Sequence, residues 1–241
     1  MQKPKKSLSQ NFLIDKNIAN KIISKISITN KNIIEIGPGY GALTNLIIKK
    51  NPKKLVLIEK DKKLYNYLNI KYKDYKNIFI FNADALNYDF TKQKNLKIIS
   101  NLPYNISSKI LLKLLKLQSN ITEILVMIQK EMSLKFDYNE IKLNKYKFFT
   151  KLTSEYERIF DVPASVFIPK PKVKSTIVKI KLKNNEVDWH KAELFAKFIF
   201  KNKRKKIANN IKMKNSFNSN ILEKRIEQIN VDELLKIYNS F

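Results

Sequence analysis

The chain of 241 residues contains no cysteine and a single histidine, His190. Without cysteine it forms no disulfide, carries no thiol nucleophile and cannot bind zinc through thiolates. One histidine leaves no histidine-rich metal cluster and argues against a Ser/His/Asp catalytic triad. We therefore expect a site that binds no metal ion and uses neither a thiol nor a histidine base.

Long apolar runs are also absent. The longest uninterrupted run, residues 124–128, has five residues, whereas a membrane-spanning helix needs about 18 or more. The first 15 residues carry lysines but no apolar stretch typical of a secretory signal. We expect no membrane partner and a location in the cytoplasm or in an organelle of bacterial origin.

Acidic residues are scarce, because 21 Asp and Glu face 48 Lys and Arg, a net charge of +27. Such an excess indicates a polyanionic partner, either nucleic acid or an anionic membrane surface. An AT-rich genome would explain why Lys replaces Arg, but explains the shortage of acids less well. The densest basic stretch, residues 201–206, is either a solvated helix face or a phosphate-binding patch. Its charged members are Lys201, Lys203, Arg204, Lys205 and Lys206.

Up to about residue 130, short apolar runs alternate with longer amphipathic stretches. The apolar runs predict buried strands at 33–36, 55–58, 78–81, 98–100 and 125–128, and helical spacing predicts helices at 42–50, 62–70 and 107–117. This alternation predicts an α/β fold with a mostly parallel, twisted sheet covered by helices on both faces. Residues 173–182 alternate apolar and charged, which predicts a late strand with one solvated face.

After residue 184 the pattern becomes helical. Helices are predicted at 189–208, 220–228 and 231–238, with a break at 215–218. We therefore predict an α/β domain over residues 1–184 and a small all-helical domain over residues 185–241. The basic stretch would then lie on the first helix of the second domain.

Glycine is rarer still: Gly37, Gly39 and Gly41 are the only three in the chain, and all follow one predicted strand. A chain that uses glycine so sparingly needs it where a ligand approaches the backbone of a tight turn before a helix. The spacing is G-x-G-x-G, which fails as a P-loop and weakens a dinucleotide-binding interpretation.

Acidic residues follow the next two predicted strands. Glu59 could accept hydrogen bonds from both hydroxyls of a ribose, and Asp84 could accept one from an adenine amine. Because the carboxyl ends of parallel strands meet at one edge of a sheet, Gly37, Glu59 and Asp84 predict a site for an adenosine-containing ligand there.

The fourth predicted strand leads into Asn101-Leu102-Pro103-Tyr104. Pro103 restricts the backbone, so Asn101 and Tyr104 are presented on a stiff turn beside the predicted ligand. An amide and a flat ring suit a planar base bearing an amine: the ring stacks, and the amide oxygen accepts from the amine. Acceptors at its N–H bonds would make that amine more nucleophilic toward a methyl group on a cationic sulfur.

With these motifs in order, the chain resembles the KsgA-type ribosomal RNA adenine N6,N6-dimethyltransferases, which use S-adenosylmethionine. The resemblance covers nearly the whole chain and rests on segments 9–13, 35–44, 82–84, 101–107, 129–131, 167–173 with Ser175, and 200–209. The chain departs from the family at residues 146–150, where a glycine-containing segment is usual, and in its Lys-rich rather than Arg-rich basic stretch.

The resemblance implies a Rossmann-like methyltransferase core and a role for each matching residue. It places Asn11, Leu13 and Asn101 on the cofactor. Gly37 would lie at the methionine part of the cofactor, Glu59 at its ribose and Asp84 at its adenine. In the target-base site, it implies that Asn101 and the carbonyl of Leu102 hold the amine while Tyr104 and Phe167 cover the two faces of the base.

The implied substrate is small-subunit rRNA in a ribosomal precursor particle, modified by a monomer, with the basic stretch binding RNA. Two alternatives remain open. One is an antibiotic-resistance methyltransferase acting on large-subunit rRNA, which Leu102 disfavours. The other is a non-catalytic nucleic-acid-binding protein of the same fold, which the retained cofactor residues disfavour. A nicotinamide dehydrogenase is disfavoured by the glycine spacing and by the lack of a proton donor beyond Tyr104.

Overall fold

The computed structural model describes residues 8, 10–211 and 219–241. In this part of the chain the strands are β1 (Phe12–Leu13), β2 (Asn32–Ile36), β3 (Lys54–Glu59), β4 (Ile78–Asn82), β5 (Leu96–Asn101), β6 (Ile121–Gln129), β7 (Ser154–Val162), β8 (Phe167–Ile168) and β9 (Ser175–Leu182). The α-helices are α1 (Lys16–Ile23), α2 (Thr44–Ile48), α3 (Lys62–Lys71), α4 (Ser107–Leu115), α5 (Lys130–Phe136), α6 (Lys145–Thr153), α7 (Trp189–Ile199), α8 (Ser219–Leu222) and α9 (Val231–Ser240).

The main sheet has seven strands in the order β4-β3-β2-β5-β6-β9-β7. Strands β2 to β6 are mutually parallel, whereas β9 and β7 are antiparallel to their neighbours. All five strands predicted from the apolar runs are present, so the mostly parallel sheet is confirmed. The chain proceeds outward from β2 to β4 and returns to β5 on the other side of β2, which creates a topological switch point at the carboxyl ends of β2 and β5.

Helices cover both faces of the sheet because strand residues alternate between the two faces. Ile33 packs with α1, α2 and α3 on one face. Its neighbour Ile34 packs on the other face, against α4, α6 and the C-terminal helices. Aspartates begin several of these helices: Asp15 accepts a hydrogen bond from the Ile18 amide at 2.9 Å, and Asp61 accepts one from the Lys63 amide at 3.0 Å.

The late strand predicted at 173–182 is confirmed as β9, but the prediction that one of its faces is solvated was wrong. Strand β9 lies between β6 and β7, so its first four residues are buried on both faces. The edge strand on this side of the sheet is β7. The sequence pattern did not reveal β7, and it did not reveal α1, α5 and α6. On β9, Lys179 is the charged residue near the sheet interior, and its ammonium lies 2.9 Å from the Glu123 carboxylate.

The predicted helix at 189–208 is also too long, because α7 ends at Ile199. Residues 201–205 form a turn, and Lys206 pairs with Arg225 in an isolated bridge. The turn returns the chain so that Ile207 is fully buried. In a continuous helix, Lys201 and Lys205 would lie four residues apart on one face and repel each other. The basic stretch therefore follows the first C-terminal helix instead of lying on it.

The second predicted C-terminal helix, 220–228, is divided into α8 and a 3-10 turn at Ile226–Gln228. The third, 231–238, is confirmed as α9, which begins with a reciprocal capping pair between Asn230 and Glu233. The predicted break at 215–218 lies outside the described residues.

Aromatic contacts join the two sides of the predicted domain boundary near residue 184. The ring of Phe148 on α6 lies 5.2 Å from that of Phe195 on α7 and 5.3 Å from that of Tyr238 on α9. The C-terminal helices thus extend the core on one face of the sheet. The boundary itself stays a prediction.

Candidate functional site

A cavity opens at the switch point, beyond the carboxyl ends of β2, β3, β4 and β5. Its lining brings together predicted residues from distant parts of the sequence: Asn11, Leu13, Gly37, Glu59, Asp84, Asn101, Leu102 and Tyr104. Phe167 and the basic stretch are not part of this lining. Ser9, the first residue of the N-terminal motif, lies outside the described residues.

The turn after β2 forms one wall of the cavity. Gly37 has a φ of +64°, and a Cβ placed there would meet no atom within 4 Å, so a side chain would project into open space. Gly39 also has a positive φ, and its Cβ would lie 3.0 Å from the Phe12 ring. The missing side chains leave room for a ligand at Gly37 and for the N-terminal segment at Gly39.

Glu59 lies at the end of β3 and is buried. Its carboxylate accepts hydrogen bonds from the Asp61 amide at 2.8 Å and the Gly39 amide at 3.3 Å. Burial raises the pKa of Glu59 above its ordinary value, against the opposing effect of these two amides. Each carboxylate oxygen retains lone pairs, so this group can also accept from a vicinal diol.

Asp84 follows β4 and is more exposed than Glu59. It accepts from the Leu86 amide at 2.9 Å and from the Lys60 ammonium at 2.8 Å. The hydrogen bond from Lys60 lowers the pKa of Asp84, so the carboxylate is ionised at neutral pH and remains an acceptor.

Asn101 ends β5 and connects the N-terminal segment to the site. Its Nδ2 donates to the backbone carbonyl of Asn11 at 2.9 Å, which fixes the orientation of the amide. With the nitrogen so engaged, the oxygen is the atom of this side chain suited to accept from a ligand amine. The next residue, Leu102, is buried, and its amide donates to the Met127 carbonyl at 3.1 Å.

Tyr104 lines the cavity and is hydrogen-bonded through its hydroxyl to the hydroxyl of Ser175 at 2.7 Å. Burial raises the pKa of the Tyr104 phenol, so the ring is neutral at physiological pH. Ser175 begins β9 and is fully buried, which holds the end of the ring in place.

Phe167 lies outside the cavity lining, and its role against the second face of the base stays a prediction. It pairs with Leu13 in the two-stranded sheet of β1 and β8, and its side chain is only 2 % exposed. In this conformation the ring is covered and cannot stack on a base. The predicted stacking role would require β8 to shift.

Two residues of the site were missed as functional candidates. Glu35 lines the cavity and is buried on β2, where it accepts a hydrogen bond from the Thr44 hydroxyl at 2.6 Å. Burial raises the pKa of Glu35 to about 8, and the nearby Glu59 adds to the rise. Lys113 on α4 donates to three backbone carbonyls of the loop after Asp84: Ala85, Leu86 and Tyr88. For Glu35, the sequence offered one signal of a role, its position two residues before the first glycine. For Lys113, the sequence offered none.

The site lacks the composition of a metal centre. Across the described ranges, no group of three or more His, Asp or Glu side chains is placed to hold a metal ion.

No helix in those ranges is long and apolar enough to cross a membrane.

The hydrogen-bond acceptors and the open space in the cavity fit S-adenosylmethionine. A buried carboxylate at Glu59 suits its ribose, Asp84 suits its adenine amine, and the open space at Gly37 would accommodate its methionine part. Together with the switch-point location, they define a Rossmann-like S-adenosylmethionine-dependent methyltransferase.

Comparison with known proteins is more specific. The family model for ribosomal RNA adenine dimethylase matches residues 1–241, so the chain belongs to that family. This membership confirms the resemblance inferred from the motifs. A curated relative from Malacoplasma penetrans, named ribosomal RNA small subunit methyltransferase A, is 40% identical over 216 residues, which span 86% of this chain and 77% of the relative.

Two solved structures share the fold. A dimethyladenosine transferase from Plasmodium falciparum has a TM-score of 0.79 at 23% identity, covering 94% of this chain and 95% of that one. The 23S rRNA methyltransferase ErmE has a TM-score of 0.74 at 19% identity, covering 95% and 99%. Because a dimethyladenosine transferase and a 23S rRNA methyltransferase both have this fold, the fold alone does not identify the substrate.

Proposed function

We propose that this protein dimethylates N6 of two adjacent adenines in a hairpin loop near the 3′ end of small-subunit rRNA. It would act as a monomer on a precursor particle, in the cytoplasm or in an organelle of bacterial origin. The name of the Malacoplasma penetrans relative supports the choice of small-subunit over large-subunit rRNA. The likeness to ErmE concerns the fold alone.

The observation that carries the chemistry is the fixed amide of Asn101 beside Tyr104 on the cavity wall. S-adenosylmethionine, when bound, supplies an electrophilic methyl group on a cationic sulfur. The Asn101 Oδ1 and the Leu102 carbonyl accept hydrogen bonds from the adenine amine and orient its lone pair toward that methyl group. Tyr104 stacks on the base, which must leave its neighbours in the RNA to reach the cavity.

The cofactor roles follow the lining of the cavity. Glu59 accepts from the ribose hydroxyls, Asp84 accepts from the cofactor's adenine amine, and Gly37 leaves room for the methionine part. Asn11 and Leu13 cover the cofactor from the N-terminal side. Phe167 would cover the second face of the target base if β8 shifts on RNA binding.

Asn101→Ala tests the assignment of the amide. Methyl transfer should fall by at least about a hundredfold, since an acceptor aligned with the reacting amine is removed, while S-adenosylmethionine affinity changes little. Single-turnover transfer of labelled methyl groups and calorimetry would measure the two effects. Asn87→Ala, at an exposed residue outside the cavity lining, is the matched control. Full turnover by the Asn101 variant would contradict the assigned role.

The choice of substrate can be tested directly on ribosomal particles. Purified protein and labelled cofactor should place dimethyladenosine at two neighbouring adenines of small subunits, and none on large subunits. Labelling confined to the large subunit would support the antibiotic-resistance alternative. Cofactor binding without transfer to either particle would support a non-catalytic factor.

We further propose that the basic stretch, residues 201–206, contacts RNA through charge. All six of its residues are exposed, and only Lys206 is held by an acid, Glu223, among the described residues. Changing Lys201, Lys203 and Lys205 to Gln should flatten the salt dependence of rRNA affinity by about 0.7–0.9 for each phosphate that is no longer neutralised. Filter binding at several salt concentrations measures the slope; an unchanged slope would exclude a role of these lysines in RNA binding.

A further inference from the structure

Residues 168–174, here called the lysine loop, run from the last residue of β8 to the start of β9, beside the target-base site. The loop contains three lysines, Lys170, Lys172 and Lys174, with two prolines and no acidic residue. Every residue of the loop except the half-buried Pro171 is exposed. The loop therefore presents three positive charges to solvent with no negative charge among them.

Both ends of the lysine loop are attached to parts of the site. At its start, Ile168 pairs with Phe12 of β1, the strand that borders the cavity. At its end, the Lys174 carbonyl accepts from the Lys130 amide at 2.9 Å. The next residue, Ser175, holds the Tyr104 hydroxyl at 2.7 Å. The loop therefore lies next to the place where a target base would meet Tyr104.

The charge of the loop is not compensated by neighbouring acids. None of its three lysines forms an ion pair within residues 8, 10–211 and 219–241. The nearby acid Asp161 is occupied by the Lys130 ammonium and by the Thr176 hydroxyl, the latter at 2.7 Å. The three ammonium groups are therefore available to an external anion.

The anion expected at the lysine loop is a phosphodiester of the RNA backbone. A base that leaves its stack to enter a cavity turns about its backbone, so its flanking phosphates stay outside near the entrance. Two apolar side chains of the loop, Ile168 and Val173, are 47% and 42% exposed and could contact unstacked neighbouring bases. Lysines interspersed with exposed apolar groups suit a single strand better than a protein partner or the cationic cofactor.

We propose that the lysine loop binds the phosphates that flank the methylated adenine and so places the RNA strand at the entrance of the site. This proposal rests on the proposed function, because it assumes that a base in RNA is the methyl acceptor. It adds a second RNA-binding segment to the basic stretch, located at the reacting nucleotide.

The test changes Lys170, Lys172 and Lys174 to Gln together and compares this variant with one that carries Gln at Lys49, Lys50 and Lys53. The control lysines are exposed and lie before β3, at the opposite end of the sheet from the cavity, and the control removes the same charge. Calorimetry should give wild-type cofactor affinity for both variants. A third variant with Arg at the three loop positions keeps the charge.

Affinity and methyl transfer are measured on a synthetic hairpin with two adjacent loop adenines and on small ribosomal subunits. Removing three phosphate-binding charges should reduce the slope of log affinity against log salt concentration by about 2. A fourfold rise in salt should therefore reduce the ratio of wild-type to variant affinity by roughly sixteen-fold. A second hairpin has uncharged methylphosphonate linkages on both sides of the adenines. The Gln loop variant and wild type should bind this second hairpin with equal affinity. On the natural hairpin, the Arg variant should have the affinity of wild type.

Each result has a distinct meaning. If wild type transfers no methyl group to RNA or subunits, the proposed function fails. If wild type is active and the loop variant binds like the control variant, the lysine loop proposal alone is wrong. A loop variant whose affinity falls equally on both hairpins would also overturn it, because the effect would not depend on the flanking phosphates.

Discussion

Among single residues, Glu35 has the most unusual environment in the site. It is buried on β2 near a second carboxylate, Glu59, and its pKa is raised to about 8. In the unfolded chain an ordinary glutamate ionises near pH 4.5. Between these two pH values the folded protein holds a proton that the unfolded chain has released, so rising pH favours unfolding.

Glu35→Gln should therefore remove a pH dependence. In wild type without cofactor, Glu35 should lower the free energy of unfolding by about 1.4 kcal/mol per pH unit as pH rises through that window. The Gln variant should lack this decline, so its free energy of unfolding should rise relative to that of wild type as the pH increases to about 8. Urea unfolding at pH 5, 6, 7 and 8 measures it, with exposed Glu131→Gln as control. Parallel pH profiles for wild type and Glu35→Gln would contradict a buried, protonated Glu35.

The residues that sequence could locate are those whose position follows from strand ends. Gly37, Glu59, Asp84 and Asn101 each end or follow a parallel strand, and the carboxyl ends of such strands meet at one edge. The burial of Phe167 could not be predicted this way. It depends on the pairing of β1 with β8, strands more than 150 residues apart in the chain, and no local pattern encodes a pairing of two residues per strand.

At the level of elements, α4 fixes the loop after β4, whose residues Asp84 and Ala85 line the cavity. The Lys113 ammonium donates to the Leu86 carbonyl at 2.7 Å and the Tyr88 carbonyl at 2.6 Å, and lies over the Phe90 ring. Burial lowers the pKa of Lys113. A helix residue thus satisfies carbonyls of an irregular segment that has no strand or helix to pair them.

Lys113→Met should loosen this loop. The free energy of unfolding should fall by about 1–3 kcal/mol, because partly buried carbonyls are left without their donor. Cofactor affinity should fall with it, since Asp84 and Ala85 line the cavity. Denaturant unfolding and calorimetry measure the two effects, and Lys109→Met, at an exposed position of the same helix, is the control. Wild-type cofactor affinity in the Lys113→Met variant would show that the loop holds its shape without the lysine.

Element prediction succeeded where burial imposes a clear period and failed where tertiary contacts decide. The apolar runs of β2, β3, β5 and β6 are buried on both faces and stand out in the sequence. Strand β4 was found by its apolar run as well, but it lies at the edge of the sheet and is largely exposed rather than buried. Strand β7 carries charged residues along the edge of the sheet, so it has no such run. Helix α7 ends at Ile199 because the chain must turn to bury Ile207 against α8 and its neighbours, which helical spacing alone does not predict.

For the whole molecule, the question is whether the C-terminal helices unfold separately from the sheet. Phe195 on α7 is fully buried and its ring contacts those of Phe148, Tyr238 and Phe241. Phe148 belongs to α6, which precedes the predicted boundary near residue 184. A core shared in this way should couple the two parts, even though they are predicted to be two domains.

Phe195→Ala should therefore destabilise the whole protein by about 3–5 kcal/mol, the usual cost of removing a fully buried phenylalanine. The single tryptophan, Trp189, whose ring lies 5.7 Å from that of Phe149, reports on the C-terminal helices. Loss of cofactor binding reports on the sheet. In Phe195→Ala, the fluorescence and cofactor-binding signals should report the same, lowered denaturant midpoint. Phe198→Ala, at a residue 37% exposed on the same helix, is the control and should lower the free energy of unfolding measured by either signal by less than about 1 kcal/mol. If the Trp189 signal moved alone while the cofactor signal stayed at its wild-type midpoint, the shared core would not transmit stability, and residues 185–241 would be an independently unfolding unit.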